Sequence, residues 1–119
     1  MSQVFEIKKN KVFSLVEARE LLPIIQRVTQ DSLEKVEMIK HHIQHYDLDS
    51  FQRQVYEDQA ADIVSRWSEK VVKLGCEPKG LWLVDFNNGE GFYCWKHPEP
   101  DISYFHPYEG GFQGRTPIL

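Results

Sequence analysis

Cysteine is scarce in this chain of 119 residues: Cys76 and Cys94 stand far apart and form no CxxC pair. That excludes a disulfide framework or a zinc ribbon as the basis of the fold, and neither thiol has an activating base beside it in sequence. Both therefore read as reduced, buried and inert. Long apolar runs are missing too. No stretch approaches the roughly 20 residues of a membrane span, and the first residues lack the apolar run of a signal peptide. The expectation is a cytoplasmic protein with no membrane partner. Basic charge is in deficit, with 14 Lys and Arg against 18 Asp and Glu and a net charge of −4. Nucleic acid is therefore not an expected partner, because affinity for it rests on clustered Lys and Arg. The one basic patch, Lys8, Lys9 and Lys11, reads as a solvated edge that discourages strand aggregation. Gly110-Gly111-Phe112-Gln113-Gly114-Arg115 is glycine-rich but lacks the strand before and helix after that define a phosphate loop. No catalytic, nucleotide-binding or cofactor signature is present, and no cofactor is expected.

What is present suffices for one domain over residues 1–119 with its own core. Residues 1–13 read as an arm or short strand around Val4, Phe5, Ile7, Val12 and Phe13. Residues 14–75 read as a helical hairpin. Ser14 with Glu17 forms a capping box, so a helix starts at Leu15. Pro23 removes a backbone donor and predicts a short first helix to about Leu22, then a kink or restart. The segment that follows carries Leu22, Ile25, Val36, Ile39, Ile43 and Tyr46 at spacings of three and four, with Thr29 and Ser32 on the same stripe, and runs to about His45. A second helix opens at Asp49 with Gln52 in the reciprocal capping position. It shows Tyr56, Ala60, Ile63, Trp67, Val71 and Leu74 on one face and ends at Gly75. Only Tyr46 to Leu48 join the two, so they run antiparallel.

Most of the aromatic residues fall between Gly80 and Arg115. Glu77-Pro78-Lys79-Gly80 has the pattern of a type I turn. Over 80–107 the pattern predicts a three-stranded antiparallel meander: Leu81 to Phe86, Gly91 to His97 after an Asn88-Gly89 turn, and Ile102 to His106 after Pro98-Glu99-Pro100. The fold class is thus α+β, a long antiparallel helical hairpin on a three-stranded sheet, closed by a Gly-rich tail over 108–119. A two-residue turn at Asn88-Gly89 sets Val84 opposite Tyr93 and Trp82 opposite Trp95. Continued across the second turn, the same reading sets Trp95 opposite Tyr104 and Tyr93 opposite His106. One face then holds Trp82, Val84, Phe86, Tyr93, Trp95, His97, Tyr104 and His106, and the other Leu81, Leu83, Asp85, Phe92, Cys94, Lys96 and Phe105. The smaller Leu83, Cys94, Phe105 surface suits close packing on helices, although the larger aromatic face could equally be the core side. The Trp82, Trp95, Tyr104 ladder is either a core stripe, the weightier reading, or a stacking platform or oligomer interface.

Few residues invite chemistry. His41 and His45 lie one helical turn apart, with His42 beside them, and could share a metal, but no carboxylate pattern accompanies them. Cys94, His97, Glu99 and His106 offer S, N and O donors, yet the expected register sets Cys94 on the face opposite His97 and His106. That leaves at best His97, Glu99 and His106, with a structural role favoured. Asp85 inside an apolar strand needs a partner, for which Arg115 or a helix N-terminus is available, and a structural ion pair is favoured over acid or base duty. The glycines of the tail let it turn across the sheet, with Phe112 plugging into it and Arg115 anchoring it.

The order of motifs, with Phe13, Glu17-Ala18 and Leu21-Leu22-Pro23, then Gly80, Val84-Asp85-Phe86, Cys94-Trp95, Glu99-Pro100, Phe105-His106, Gly111-Phe112 and Gly114-Arg115, resembles the family called domain of unknown function 2203. The resemblance covers about the whole chain after residue 12, and His97-Pro98 departs from it where the family tends to carry a Gly before the Glu. It implies a cytoplasmic bacterial protein without established activity, and it points to Asp85, Glu99, His106 and Arg115 as site residues. Two functions are carried forward: a small binding or protein-interaction module acting as a homodimer, and, as the alternative, an enzyme or metal-dependent site built from those four residues.

Overall fold

The computed structural model describes residues 11–119. Of the arm expected over 1–13, residues 1–10, with Lys8 and Lys9, lie outside the described residues. Phe13 is an anchor: its N–H donates to the Asn87 carbonyl at 2.7 Å, and its buried ring packs edge-on against Phe86.

Helix α1 spans Leu15–His45 and α2 spans Ser50–Lys73. Both begin with the capping boxes expected, Ser14 with Glu17 and Asp49 with Gln52, each bonding reciprocally. Helix α2 closes as the sequence implies: Gly75 takes φ +94°, its N–H reaches the Val72 carbonyl, and Cys76 N–H reaches Val71, the pattern of a Schellman cap. Pro23 does not divide α1, which runs through it unbroken. The ring faces solvent, so the carbonyl that loses its N–H partner is free for water, while Leu22 and Ile25 on the opposite side are buried. Their burial, about 1.5–3 kcal/mol each, offsets the roughly 3 kcal/mol that an interior proline costs a helix. Thr29, a polar residue on the apolar stripe, is fully buried and accepts a 2.9 Å bond from the Trp67 indole N–H, which joins the two helices through their core.

Among the described residues the sheet has five strands, not three, in the order β1 (Glu77–Gly80), β2 (Leu83–Asn87), β3 (Gly91–Lys96), β4 (Tyr104–Pro107) and β5 (Thr116–Pro117), all antiparallel. The expected turn at Glu77–Gly80 is instead edge strand β1, where Pro78 is tolerated because an edge leaves half its donors unpaired. The turn itself falls at Leu81 and Trp82. Trp82 adopts φ +62°, an unusual conformation for a bulky residue, and is held there by its buried indole, which packs edge-on against Trp67 at 5.0 Å.

Two register differences reorganise the sheet. In the first hairpin Val84 faces Trp95 and Asn87 faces Phe92, two residues on from the expected pairing. The Asn88 side chain accepts from both Glu90 and Gly91 N–H, so Asn88 opens the turn and Gly89-Glu90 form its corner. A slip of two leaves the faces unchanged. In the second hairpin Cys94 faces Tyr104 and Phe92 faces His106, a slip of one. That inverts β4: Tyr104 and His106 join Asp85 and Cys94, while Phe105 turns to the opposite side. The larger aromatic face is the one on the helices, with Val84, Phe86 and Trp95 buried against Leu22, Ile25, Trp67 and Val71.

Gly91 makes this register possible. A Cβ there would lie 2.4 Å from the His106 carbonyl oxygen and 2.9 Å from Pro107 Cα, and backbone atoms cannot step aside as a flexible side chain would. Gly91→Ala is therefore expected to cost 2 kcal/mol or more, at the upper end of the roughly 1–3 kcal/mol of ordinary overpacking. Urea unfolding measures this, and a wild-type midpoint would show that β3 and β4 are not so closely apposed.

Candidate functional site

The polar residues of the sheet gather on the face away from the helices, under the C-terminal segment. Asp85 is central and 1% exposed. Its Oδ2 lies 2.9 Å from His106 Nε2, and His106 is 2% exposed. The partner of Asp85 is thus a histidine from the neighbouring hairpin, not the Arg115 or helix terminus expected. His106 Nδ1 lies 2.8 Å from the Pro107 carbonyl. A carbonyl only accepts, so Nδ1 carries a proton, and the bond between Nε2 and Asp85 holds one further proton. Burial pushes the Asp85 carboxyl above the usual carboxylate range, opposed by His106 and then by Cys94.

Cys94 lies opposite Asp85 in the ladder and is fully buried. Burial, reinforced by the Asp85 charge, pushes its thiol up to about 12. Arg115 follows: Nη1 approaches Cys94 Sγ at 3.9 Å, and the guanidinium grips Glu99 with both arms, Nη1 to Oε1 at 3.1 Å. Glu99 holds its arginine higher still in pKa. The same guanidinium stacks on Tyr104 at 3.9 Å and on Phe112 at 4.2 Å. Glu99 is itself fixed by the turn after β3, where its Oε1 accepts from Lys96 N–H and its carbonyl accepts from the Trp95 indole.

All four polar candidates thus join one chain of contacts, Glu99 to Arg115 to Cys94 to Asp85 to His106. Its central link, Cys94, is buried as expected but lies on the same face as His106, not the opposite one. The readable signal was that Cys94 shares a face with Asp85 in either register of the first hairpin. Donor atoms of Asp85, Cys94 and His106 all lie within 4.8 Å of one another, so these three residues could hold a metal. Asp85 Oδ1 is buried without a hydrogen-bond partner among the described residues.

The other candidates fall elsewhere. Trp95 is in the core, Trp82 is in a turn on the helix side, and Tyr104 is on the outer face beneath Arg115, so the three form no ladder. The core reading holds for the two tryptophans. His97 packs edge-on against Trp95 and is separated from His106 by the sheet register. His41 and His45 stack at 3.9 Å in the outer part of the hairpin, where His45 Nδ1 bonds the His41 carbonyl. Arg115 does anchor the tail, which closes as a 3-10 turn (Phe112–Gly114) and strand β5. Phe112 does not plug the sheet; it stays on the surface between Lys96 and Arg115.

Fold and site together define an α+β domain in which a buried Asp, Cys and His cluster sits beneath a tail pinned by an Arg–Glu pair. The chain matches, over residues 11–118, the family model described as an uncharacterized conserved protein (DUF2203), and it belongs to that family. No curated protein and no solved structure matches it.

Two outcomes follow from the site chemistry. Cys76 is also pushed up to about 12 by burial, against 9.0 for each thiol when exposed. Between these limits the unfolded chain has released protons that the folded chain still holds, so stability falls as pH rises from about 9 toward 12. At pH 8 neither thiol is expected to react with a disulfide reagent until urea is added; rapid labelling of the native protein would contradict the burial of both. In the presence of chelator, Asp85→Ala should cost about 3–5 kcal/mol, the range for breaking a buried pair. Asp85→Asn should cost markedly less, because its amide can donate to Nε2. Denaturation midpoints rank the two, and the reverse order would deny the pair its structural role.

Proposed function

We propose that the protein is a small binding module that works in the cytoplasm as a homodimer, with the outer half of its helical hairpin as the interface. The observation that carries this reading is the distribution of burial along the hairpin. Near the sheet, Leu22, Ile25, Thr29, Val36, Trp67 and Val71 are buried, whereas residues 37–66 include none that is. Yet that outer half continues the apolar stripe through Ile39, Ile43, Tyr56 and Ile63 and adds Met38, 73% exposed, and Phe51, 77% exposed. Two grooves meet at His42, one of about 620 Å³ beside Leu33, Met38 and Tyr46, and one of about 410 Å³ beside Leu48, Phe51 and Val55.

A pair of helices buries only the seam between them and leaves apolar side chains on its flanks; a second hairpin related by a two-fold axis covers them as a four-helix bundle. A second copy is the natural occupant, since it brings the same flanking residues to the same grooves. The alternative of an enzyme or metal-dependent site made from Asp85, Glu99, His106 and Arg115 has less in its favour, because Glu99 and Arg115 are committed to each other.

Sedimentation equilibrium across a concentration series tests the proposal. Wild type should behave as a dimer that dissociates on dilution. Met38→Asp and Phe51→Asp alter exposed side chains that the monomer fold does not use, and each should weaken association at least tenfold, about 1.4 kcal/mol. A monomer at every concentration, or a dimer indifferent to both substitutions, would overturn this interface.

A further inference from the structure

The cluster on the outer face of the sheet meets the requirements of a metal site that the interaction reading does not use. We propose that Asp85, Cys94 and His106 bind one divalent cation of the zinc class beneath the C-terminal segment. One carboxylate oxygen, one sulfur and one imidazole nitrogen lie within 4.8 Å of one another, and all three residues are buried. A tetrahedral ion with bonds of about 2.0–2.3 Å sets its ligand atoms about 3.3–3.6 Å apart. For an ion to enter, the 2.9 Å contact between Nε2 and Oδ2 widens by a few tenths of an ångström and the Cys94 sulfur, within 4.8 Å of the other donors, adjusts to the same spacing.

Three features outside the donor set agree with this. His106 donates Nδ1–H to the Pro107 carbonyl, the bond that orients a metal-bound imidazole and turns the Nε2 lone pair inward. Asp85 Oδ1 is buried without a hydrogen-bond partner among the described residues, and a cation supplies the positive partner it lacks. Arg115 Nη1 points at Cys94 Sγ from 3.9 Å, where it would donate to a metal-bound thiolate while Glu99 balances its charge.

Charge balance also permits the exchange. Without metal, Asp85 and His106 share one proton beyond that on Nδ1, and Cys94 holds its own. A divalent cation displaces both protons, leaving the thiolate, the carboxylate and the neutral imidazole around it. Two unit charges leave and two arrive, so no uncompensated charge is buried. The mixed S, N and O donor set suits zinc, and the fourth position falls to water or a small anion.

Cobalt(II) is the probe, because a thiolate ligand gives it a near-ultraviolet charge-transfer band. Cys76→Ala leaves Cys94 as the only thiol in the chain. The folded C76A protein is expected to bind one cobalt per chain with that band, and zinc should bleach it by displacement. Asp85→Asn should weaken binding at least tenfold. Cys94→Ala, if circular dichroism finds it folded, should lose the band; should it not fold, the C76A titration decides alone. No cobalt bound by C76A, cobalt bound without the band, or a band that persists in folded C94A would each overturn the proposal. None of these readouts depends on the oligomeric state, so this site and the hairpin interface stand or fall separately.

Discussion

The pairing of β3 with β4 is the constraint on which the rest of this molecule depends. A slip of one residue between two strands exchanges every side chain between the faces. Here the register sets His106 beside Asp85, with its Nε2 2.9 Å from the carboxylate Oδ2. The alternative register would send His106 toward Trp95 and leave Asp85 buried and unpaired, at a cost of several kcal/mol. Gly91 adds a steric condition to this electrostatic one, since only a residue without Cβ lets β3 pass under the His106 carbonyl. The two conditions select the same register, which is why a short four-residue strand is placed so definitely.

From that register the outer face follows. Once Tyr104 shares a side with Cys94, its ring offers Arg115 a surface to stack on, and the guanidinium can reach Glu99 across it. The tail is held by that contact and by the short pairing of β5 with β4. The buried part of the inner face then belongs to apolar groups, Val84, Phe86 and Trp95, with Tyr93 and Phe105 partly exposed at its margin. Helices pack on that side, and one polar crossing, Thr29 to Trp67, is accommodated because both partners are satisfied. The hairpin is long: a 31-residue α1 is about 46 Å long at 1.5 Å per residue, and among the described residues its far half has no third layer to cover it.

Local signals were legible where a short stretch of chain contains the whole cause. The capping boxes at Ser14 and Asp49 and the glycine at 75 define their helix ends within one turn, and each was read correctly from its own residues. Pro23 does not end the helix near Leu22, because its local penalty is real but smaller than the burial gained by its neighbours Leu22 and Ile25. Glu77–Gly80 was misread because a proline-containing edge strand and a turn share the same residue types. For the site, Asp85, Glu99, His106 and Arg115 are legible as polar groups in need of partners, and Cys94 shares a face with Asp85 in either register of the first hairpin, but whether His106 joins them turns on the register of β3 with β4, which no nearby residue reports.

The sequence by itself determined the class of the protein, two capped antiparallel helices before an aromatic-rich antiparallel sheet, because caps, helical periodicity and strand alternation act over a few residues. It also determined which polar groups need partners, since an acid within an apolar strand is conspicuous wherever the strand goes. Only the tertiary structure decided who those partners are, which face meets the helices and how many strands the sheet has. Those outcomes compare contacts between residues on different elements, such as Asp85 with His106. A one-residue difference in a loop is invisible to local chemistry but exchanges the inside of a strand for its outside.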